Sequence, residues 1–275
     1  MTTGLPYRLG IIGAGNMGLA ILAGALDGGV LQAGEVAVYD IDARARQRAG
    51  ASGVAVLSDD AEVCARSAMV LFAVKPQQIA EALRQSGTSI ENKAVMSIVA
   101  GVDSTRFRSM ASGDIRLLRV LPNTPALVRE GVFALASDTD FTAEELDWAV
   151  SLYTSLGIVE RLPEAQLDAV CGLSGGAPAY VAMFVEALAD GGVKQGLSRE
   201  VALRLAMQSC LGSAKMLIDT AMHPALLKDM VASPAGTTIE ACSILEKGAF
   251  RGTLIAAVAA ASERSEQLGA PASNS

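Results

Sequence analysis

One short segment constrains this 275-residue chain more than any other. Tyr7–Ile12 is an apolar run with the length of a strand, and Gly13-Ala14-Gly15-Asn16-Met17-Gly18 follows it directly. The amphipathic stretch Asn16–Leu26 continues from there as a helix, ended by Gly28-Gly29. A G-x-G-x-x-G turn between a strand and a helix carries a physical meaning that the same letters elsewhere lack. Gly13 permits the tight turn, Gly15 removes the side chain that would block a pyrophosphate, and Gly18 lets the helix lie close to the sheet. The helix N-terminus then offers free N–H groups and positive potential to phosphates. The plain alternative is a glycine turn with no ligand.

The pattern continues for about 160 residues as short apolar runs alternating with amphipathic stretches. Strands are expected at 35–39, 54–57, 69–74, 94–99, 115–121, 132–136 and 158–162. Helices are expected at 43–49, 59–67, from Pro76, 104–110 and 142–156, the last opened by a capping box of Thr142 and Glu145. Such alternation predicts a Rossmann-type doubly wound parallel sheet. After Pro163 the pattern turns helical, with helices at 166–173, 177–189, 198–220, 224–230, 238–246 and 251–268 and glycines between some of them. Two domains are therefore expected, 1–163 for the dinucleotide and 164–275 all-helical. The 198–220 helix is apolar almost all round, so it must be covered on most faces. A helical domain of about 110 residues has little mass with which to do that alone. The cover is either a second copy in an intertwined dimer or the chain's own first domain, and the dimer is the reading adopted.

Composition narrows the partners. The net charge is −7 with a pI near 4.9, which repels nucleic acid. Cys64, Cys171, Cys210 and Cys242 form no CxxC pair and read as buried reduced thiols, consistent with a reducing compartment. No metal-ligand cluster is evident. No signal peptide is recognised at the N-terminus, and no run is judged long and apolar enough for a membrane span. The expectation is a cytoplasmic protein without a membrane partner.

The candidate cofactor residues lie where strands of such a sheet end. Asp40 ends the second strand about 20 positions beyond the glycine turn, where a carboxylate binds the ribose hydroxyls of NAD. Arg44 and Arg46 follow on the next helix, where they are placed to face a 2′-phosphate, so both NADH and NADPH stay open. Val74-Lys75-Pro76, Ala100-Gly101 and Asn123-Thr124-Pro125 end later strands and are expected to border the nicotinamide half of the site. Farther on, Ser233-Pro234-Ala235-Gly236-Thr237-Thr238 is a Pro/Gly turn entering a helix. The amides of Gly236, Thr237 and Thr238 there make an anion site. The alternative is an ordinary N-cap supplied by Thr237 or Thr238. His223, before Pro224, reads as a capping or surface residue.

Taken together the motifs resemble pyrroline-5-carboxylate reductase, the enzyme that makes proline, over essentially the whole chain. The resemblance rests on Ile11–Gly18, Ala73–Pro76, Leu121–Ala126, Gly172–Tyr180, Ala189–Val193 and above all Leu227–Ala241 continuing to Leu245-Glu246. Cys242 departs from the pattern, which usually has an aliphatic residue there. The resemblance implies reduction of 1-pyrroline-5-carboxylate to L-proline by NAD(P)H. It implies an obligate homodimer with interleaved C-terminal helices, often assembled further as in a homodecamer. It places the substrate in the segment from Val231 through Ser233, Gly236 and Thr237 to Thr238, and gives Thr238 the contact to the imine nitrogen. Asn16, Met17, Val74, Lys75, Pro76, Ala100 and Asn123 join Gly13, Gly15 and Asp40 as cofactor-binding candidates. Two rivals share the first domain. A hydroxyacid dehydrogenase needs a catalytic lysine after the second glycine turn, and none precedes Lys194. A non-catalytic dinucleotide sensor has no use for the 233–238 turn.

Overall fold

The computed structural model describes residues 4–269. In chain order it forms β1 (Tyr7–Ile12), α1 (Asn16–Asp27), β2 (Val36–Tyr39), α2 (Ala43–Gly50), β3 (Ala55–Val56), α3 (Asp60–Arg66), β4 (Ser67–Phe72), α4 (Ile79–Ser86), β5 (Ala94–Ser97), α5 (Ser104–Met110), β6 (Arg116–Pro122), β7 (Gly131–Ala136), α6 (Ala143–Thr154) and β8 (Gly157–Leu162). The strands make one sheet of order β3-β2-β1-β4-β5-β6-β7-β8. The order reverses between β1 and β4, so a crevice opens beyond the carboxyl ends of those strands, and ligands of such sheets bind there.

Neighbouring strands pair in parallel except β6 and β7, which are antiparallel. This departs from the fully parallel sheet expected. The connection 123–130 holds one short 3-10 turn, less than the dozen or so residues a parallel crossover requires. The chain therefore turns straight back.

Both faces of the sheet are buried at its central strands, whose successive side chains point to opposite faces, while the edge strands β3 and β8 hold no fully buried residue. Met69 and Leu71 of β4 join Leu9, Ile11, Ile21, Leu22, Leu152 and Tyr153 on the α1–α6 side. Val70 and Phe72 join Val63, Leu83 and Phe107 on the α3–α4–α5 side. Aliphatic side chains dominate, and the few aromatics pair among themselves: Phe133 stacks on Tyr153 at 4.8 Å and Phe72 meets Phe107 edge-on at 5.5 Å. The capping box opens α6, with Thr142 Oγ1 accepting from Glu145 N and Glu145 Oε2 accepting from Thr142 N.

The remaining chain is helical: α7 (Leu167–Val170), a π turn at Cys171–Gly175, α8 (Ala177–Lys194), α9 (Arg199–Thr220), α10 (Pro224–Val231), α11 (Thr237–Lys247) and α12 (Phe250–Gly269). The contacts divide the chain into two compact units, one reaching to Gly175 and taking back the chain from Ala261, the other comprising Gly176–Ala260. In the second unit α8 runs through Gly191-Gly192, which the sequence pattern reads as a break. A Cβ at Gly192 would stand 3.1 Å from that of Ala202, so the glycine is there for the close approach of α8 to α9.

The core of this second unit is slight. Ala189, Ala202 and Ala206 are its buried hydrophobics, while Val181, Met183, Leu205, Met207, Leu211, Ile218 and Ile255 are exposed. Segments 164–194 and 199–220 also contain windows of mean hydropathy 1.2, long enough to cross a membrane. The expectation that no stretch reaches that threshold is thus corrected: one or two charges interrupt the apolar residues without lowering the average enough. A helix covered by protein on most sides meets the same test. The thiols also differ from expectation, since Cys64 is buried while Cys171, Cys210 and Cys242 are half-buried.

Candidate active site

The glycine turn is built as its sequence demands. Gly13 sits at φ +103, and a Cβ there would come within 2.7 Å of the Ala73 carbonyl, so only glycine lets β1 pass the end of β4. Its N–H donates to the Tyr39 carbonyl oxygen at 2.9 Å, tying the turn to the end of β2. A Cβ on Gly18 would overlap the Gly13 carbonyl oxygen. Gly15 differs. It is the N-cap of α1, has no side-chain cap, and a Cβ on it would meet nothing within 4 Å. The space above the helix N-terminus is therefore open, and the first turn of α1 carries no acidic residue. Backbone N–H groups and helix dipole face that space together, which fits a pyrophosphate.

A cleft of about 400 Å³ opens beside this turn, within the usual range for small-molecule sites. Of the residues expected to hold a cofactor, it is lined by Gly13, Gly15, Asp40, Val74 and Lys75. Asp40 is held firmly: its Oδ2 accepts from Ala14 N at 2.6 Å and its Oδ1 from Asp42 N at 2.8 Å. Each oxygen keeps a second lone pair for a ribose hydroxyl. Arg46 is occupied elsewhere, donating to the carbonyl oxygens of Asp40 and Ile41 and lying over the Tyr39 ring.

Asn16, Met17, Pro76, Ala100 and Asn123 do not line this cleft. Asn16 and Pro76 occupy the first turns of their helices, and Met17 packs against the core. Asn123 is buried with both ends of its amide engaged within the protein, Nδ2 donating to the Ser174 carbonyl oxygen and Oδ1 accepting from Val132 N. It fastens the end of β6 to the start of β7. The residues that line the cleft without having been assigned to the cofactor from the sequence include Asp60, Glu81 and Arg48. Asp60 opens α3 just after β3, the strand that the sheet order places beside β2. Burial, together with the carboxylates of Asp59, Asp40 and Glu81, pushes its pKa up from 3.8 to about 7.

The second unit holds the candidate substrate segment between α10 and α11. Ala235 adopts φ +56, a left-handed conformation unusual for alanine, and a Cβ on Gly236 would overlap the Ser233 hydroxyl. The N-cap of α11 is Gly236, without a side-chain cap, so neither Thr237 nor Thr238 serves as the cap. The Gly236 amide donates to the Ser233 carbonyl oxygen at 3.0 Å. An anion at this helix start is thus left the amides of Thr237 and Thr238. Thr238 is half-buried, whereas Val231, Ser233 and Thr237 are exposed. His223 caps α10, its Nδ1 accepting from Ala225 N at 3.2 Å.

Against known proteins, residues 164–268 match the family model for pyrroline-5-carboxylate reductase dimerisation, and residues 8–101 match that for NADP oxidoreductase, coenzyme F420-dependent. The pyrroline-5-carboxylate reductase of Arabidopsis thaliana is 42% identical over 265 residues, 95% of each chain. That decides the relationship. The chain belongs to the pyrroline-5-carboxylate reductase family. The Methanosarcina acetivorans reductase is 38% identical, over 95% of this chain and 98% of its own. A crystal structure of the Plasmodium falciparum pyrroline carboxylate reductase with NADP bound superposes with a TM-score of 0.87 at 30% identity, covering 96% of this chain and 98% of that one. These relatives match both halves of the chain.

Proposed function

We propose that this chain reduces 1-pyrroline-5-carboxylate to L-proline with NAD(P)H, the last step of proline biosynthesis. The observation that carries the reading is the match to pyrroline-5-carboxylate reductases across 95% of the chain at 38–42% identity. The open space over Gly15, the helix N-terminus beneath it and Asp40 at its side fit a dinucleotide. When bound, the reduced nicotinamide supplies the hydride.

The chain's own residues supply binding and orientation. The amides of Thr237 and Thr238, at the start of α11, take the substrate carboxylate. The Thr238 hydroxyl hydrogen-bonds the ring nitrogen, and it serves the imine as a donor or the iminium as an acceptor. A cyclic imine brings its own proton near neutral pH, so no strong acid is required of the protein. The hydride adds to the C=N carbon while the C=N π electrons pass to nitrogen, which ends as the amine of proline. Holding the two reacting carbons in contact supplies most of the acceleration. The region 164–275 serves substrate binding and dimerisation, and the functional unit is a homodimer, with rings of dimers such as a decamer as the larger assembly.

The deciding assay is steady-state turnover of pyrroline-5-carboxylate with NADH and NADPH in parallel, in the wild type and in Thr238→Ala. Turnover of the wild type is expected with at least one dinucleotide. The variant is expected to lose tenfold or more in kcat, the range of a lost transition-state hydrogen bond, with cofactor affinity retained. No turnover with either dinucleotide overturns the activity. Unchanged kcat in the variant removes Thr238 from the mechanism.

A further inference from the structure

The cleft beside the glycine turn holds more negative charge than a ribose hydroxyl site needs. Asp40, Asp42, Asp60 and Glu81 line it, with Arg48 and Lys75 as its cations. Asp42 is committed to the start of α2, accepting from Arg44 N at 2.9 Å, and Glu81 is paired with Arg84. Asp60 is neither. Only 4% exposed, it has no hydrogen-bond or ion-pair partner among the described residues, yet its side chain borders the cleft. Its carboxyl oxygens are not among the fully enclosed unpartnered atoms, so the small part of Asp60 that stays accessible opens onto the cleft, where a carboxyl can take hydrogen-bond donors of a ligand.

We propose that Asp40 and Asp60 together make this cleft specific for the unphosphorylated adenosine of NADH, with Asp60 as a specificity-determining residue. The inference rests on the reading of the cleft as the dinucleotide site. Asp40, fixed by the Ala14 and Asp42 amides, accepts from the 2′ and 3′ hydroxyls of the ribose. Asp60 on the cleft wall offers a second carboxyl to the adenosine's hydroxyl or amino donors. A 2′-phosphate would bring about two negative charges into a pocket whose carboxylates outnumber its cations. Of the two arginines that follow Asp40 on α2, Arg46 is bound to the carbonyls of Asp40 and Ile41, and Arg44 does not line the cleft. Asp60 already resists ionisation, its pKa raised to about 7 by burial and by Asp59, Asp40 and Glu81, so added negative charge meets the same resistance.

The test is calorimetric titration of the wild-type protein and of the Asp40→Ser/Asp60→Asn double variant with NADH, NADPH, AMP and adenosine 2′,5′-bisphosphate. The wild type is expected to bind NADH about tenfold or more tightly than NADPH, the scale of a like-charge juxtaposition, and AMP over the bisphosphate likewise. The double variant is expected to lose most of that ratio. Equal or tighter binding of NADPH by the wild type overturns the proposal. If Arg48→Ala then abolishes that binding, Arg48 is the phosphate reader instead. A wild-type preference for NADH that survives in the double variant also overturns it. Failure of all four ligands to bind would instead sink the dinucleotide reading of the cleft, a distinguishable result.

Discussion

Asp60 carries a consequence that needs no ligand. Its folded pKa of about 7 lies above the unfolded value of 3.8. Between those values the folded chain keeps a proton that the unfolded chain has released. Stability falls with rising pH wherever the native state binds more protons. The contribution is therefore fully present below about pH 4 and lost as pH rises through 7. Asp60→Asn removes this titration. Thermal unfolding of both proteins from pH 4.5 to 8.5 is expected to show the variant gaining on the wild type as pH rises, by several degrees in Tm at the alkaline end. Parallel Tm curves would mean that Asp60 does not titrate in this window. The sequence exposes Asp40 because its distance from the glycine turn is local. It hides Asp60 because β3 meets β2 only in the folded sheet.

At the scale of the element, the turn joining β1 to α1 separates folding from binding. Gly13 and Gly18 are held by contacts within the protein, so alanine at either disturbs the fold. Gly15 has φ −71 and ψ −172, which alanine adopts without strain, and open space at its Cβ. Gly15→Ala is expected to leave Tm within about a degree of wild type, since compatible Gly→Ala changes cost nothing or stabilise slightly. Dinucleotide affinity should nonetheless fall at least tenfold, because the methyl enters the space assigned to the pyrophosphate. Differential scanning calorimetry and NADH titration on the same sample check both parts, and unchanged affinity would place the phosphates elsewhere. Element positions in the first 162 residues were legible because apolar runs and caps are local signals. The antiparallel β7 was not, since strand direction follows from the length of the 123–130 connection. The continuation of α8 through Gly191-Gly192 was not either, because it depends on where Ala202 lies.

For the whole molecule, the argument concerns surface that one chain leaves uncovered. The unit 176–260 buries three alanines as its apolar core while α8 and α9 present Val181, Phe184, Leu188, Met207 and Leu211 along a groove of about 770 Å³. An apolar patch of this kind favours association, at about 25 cal/mol per Å² removed from water. The family to which the chain belongs has a model for dimerisation that matches 164–268, so a second copy is the proposed cover. If so, folding and association are linked, and Tm must rise with protein concentration. Unfolding curves over a hundredfold dilution are expected to shift by several degrees, with sedimentation giving twice the chain mass. Leu211→Glu puts a charge in the groove and is expected to lower both the mass and the concentration dependence. Lys215→Glu, one turn along α9 where Lys215 pairs with Asp219 at the surface, controls for added negative charge outside the groove lining. A wild type that sediments as one chain, with a Tm independent of dilution, would leave the apolar groove to some other cover and remove the dimer from the proposed function.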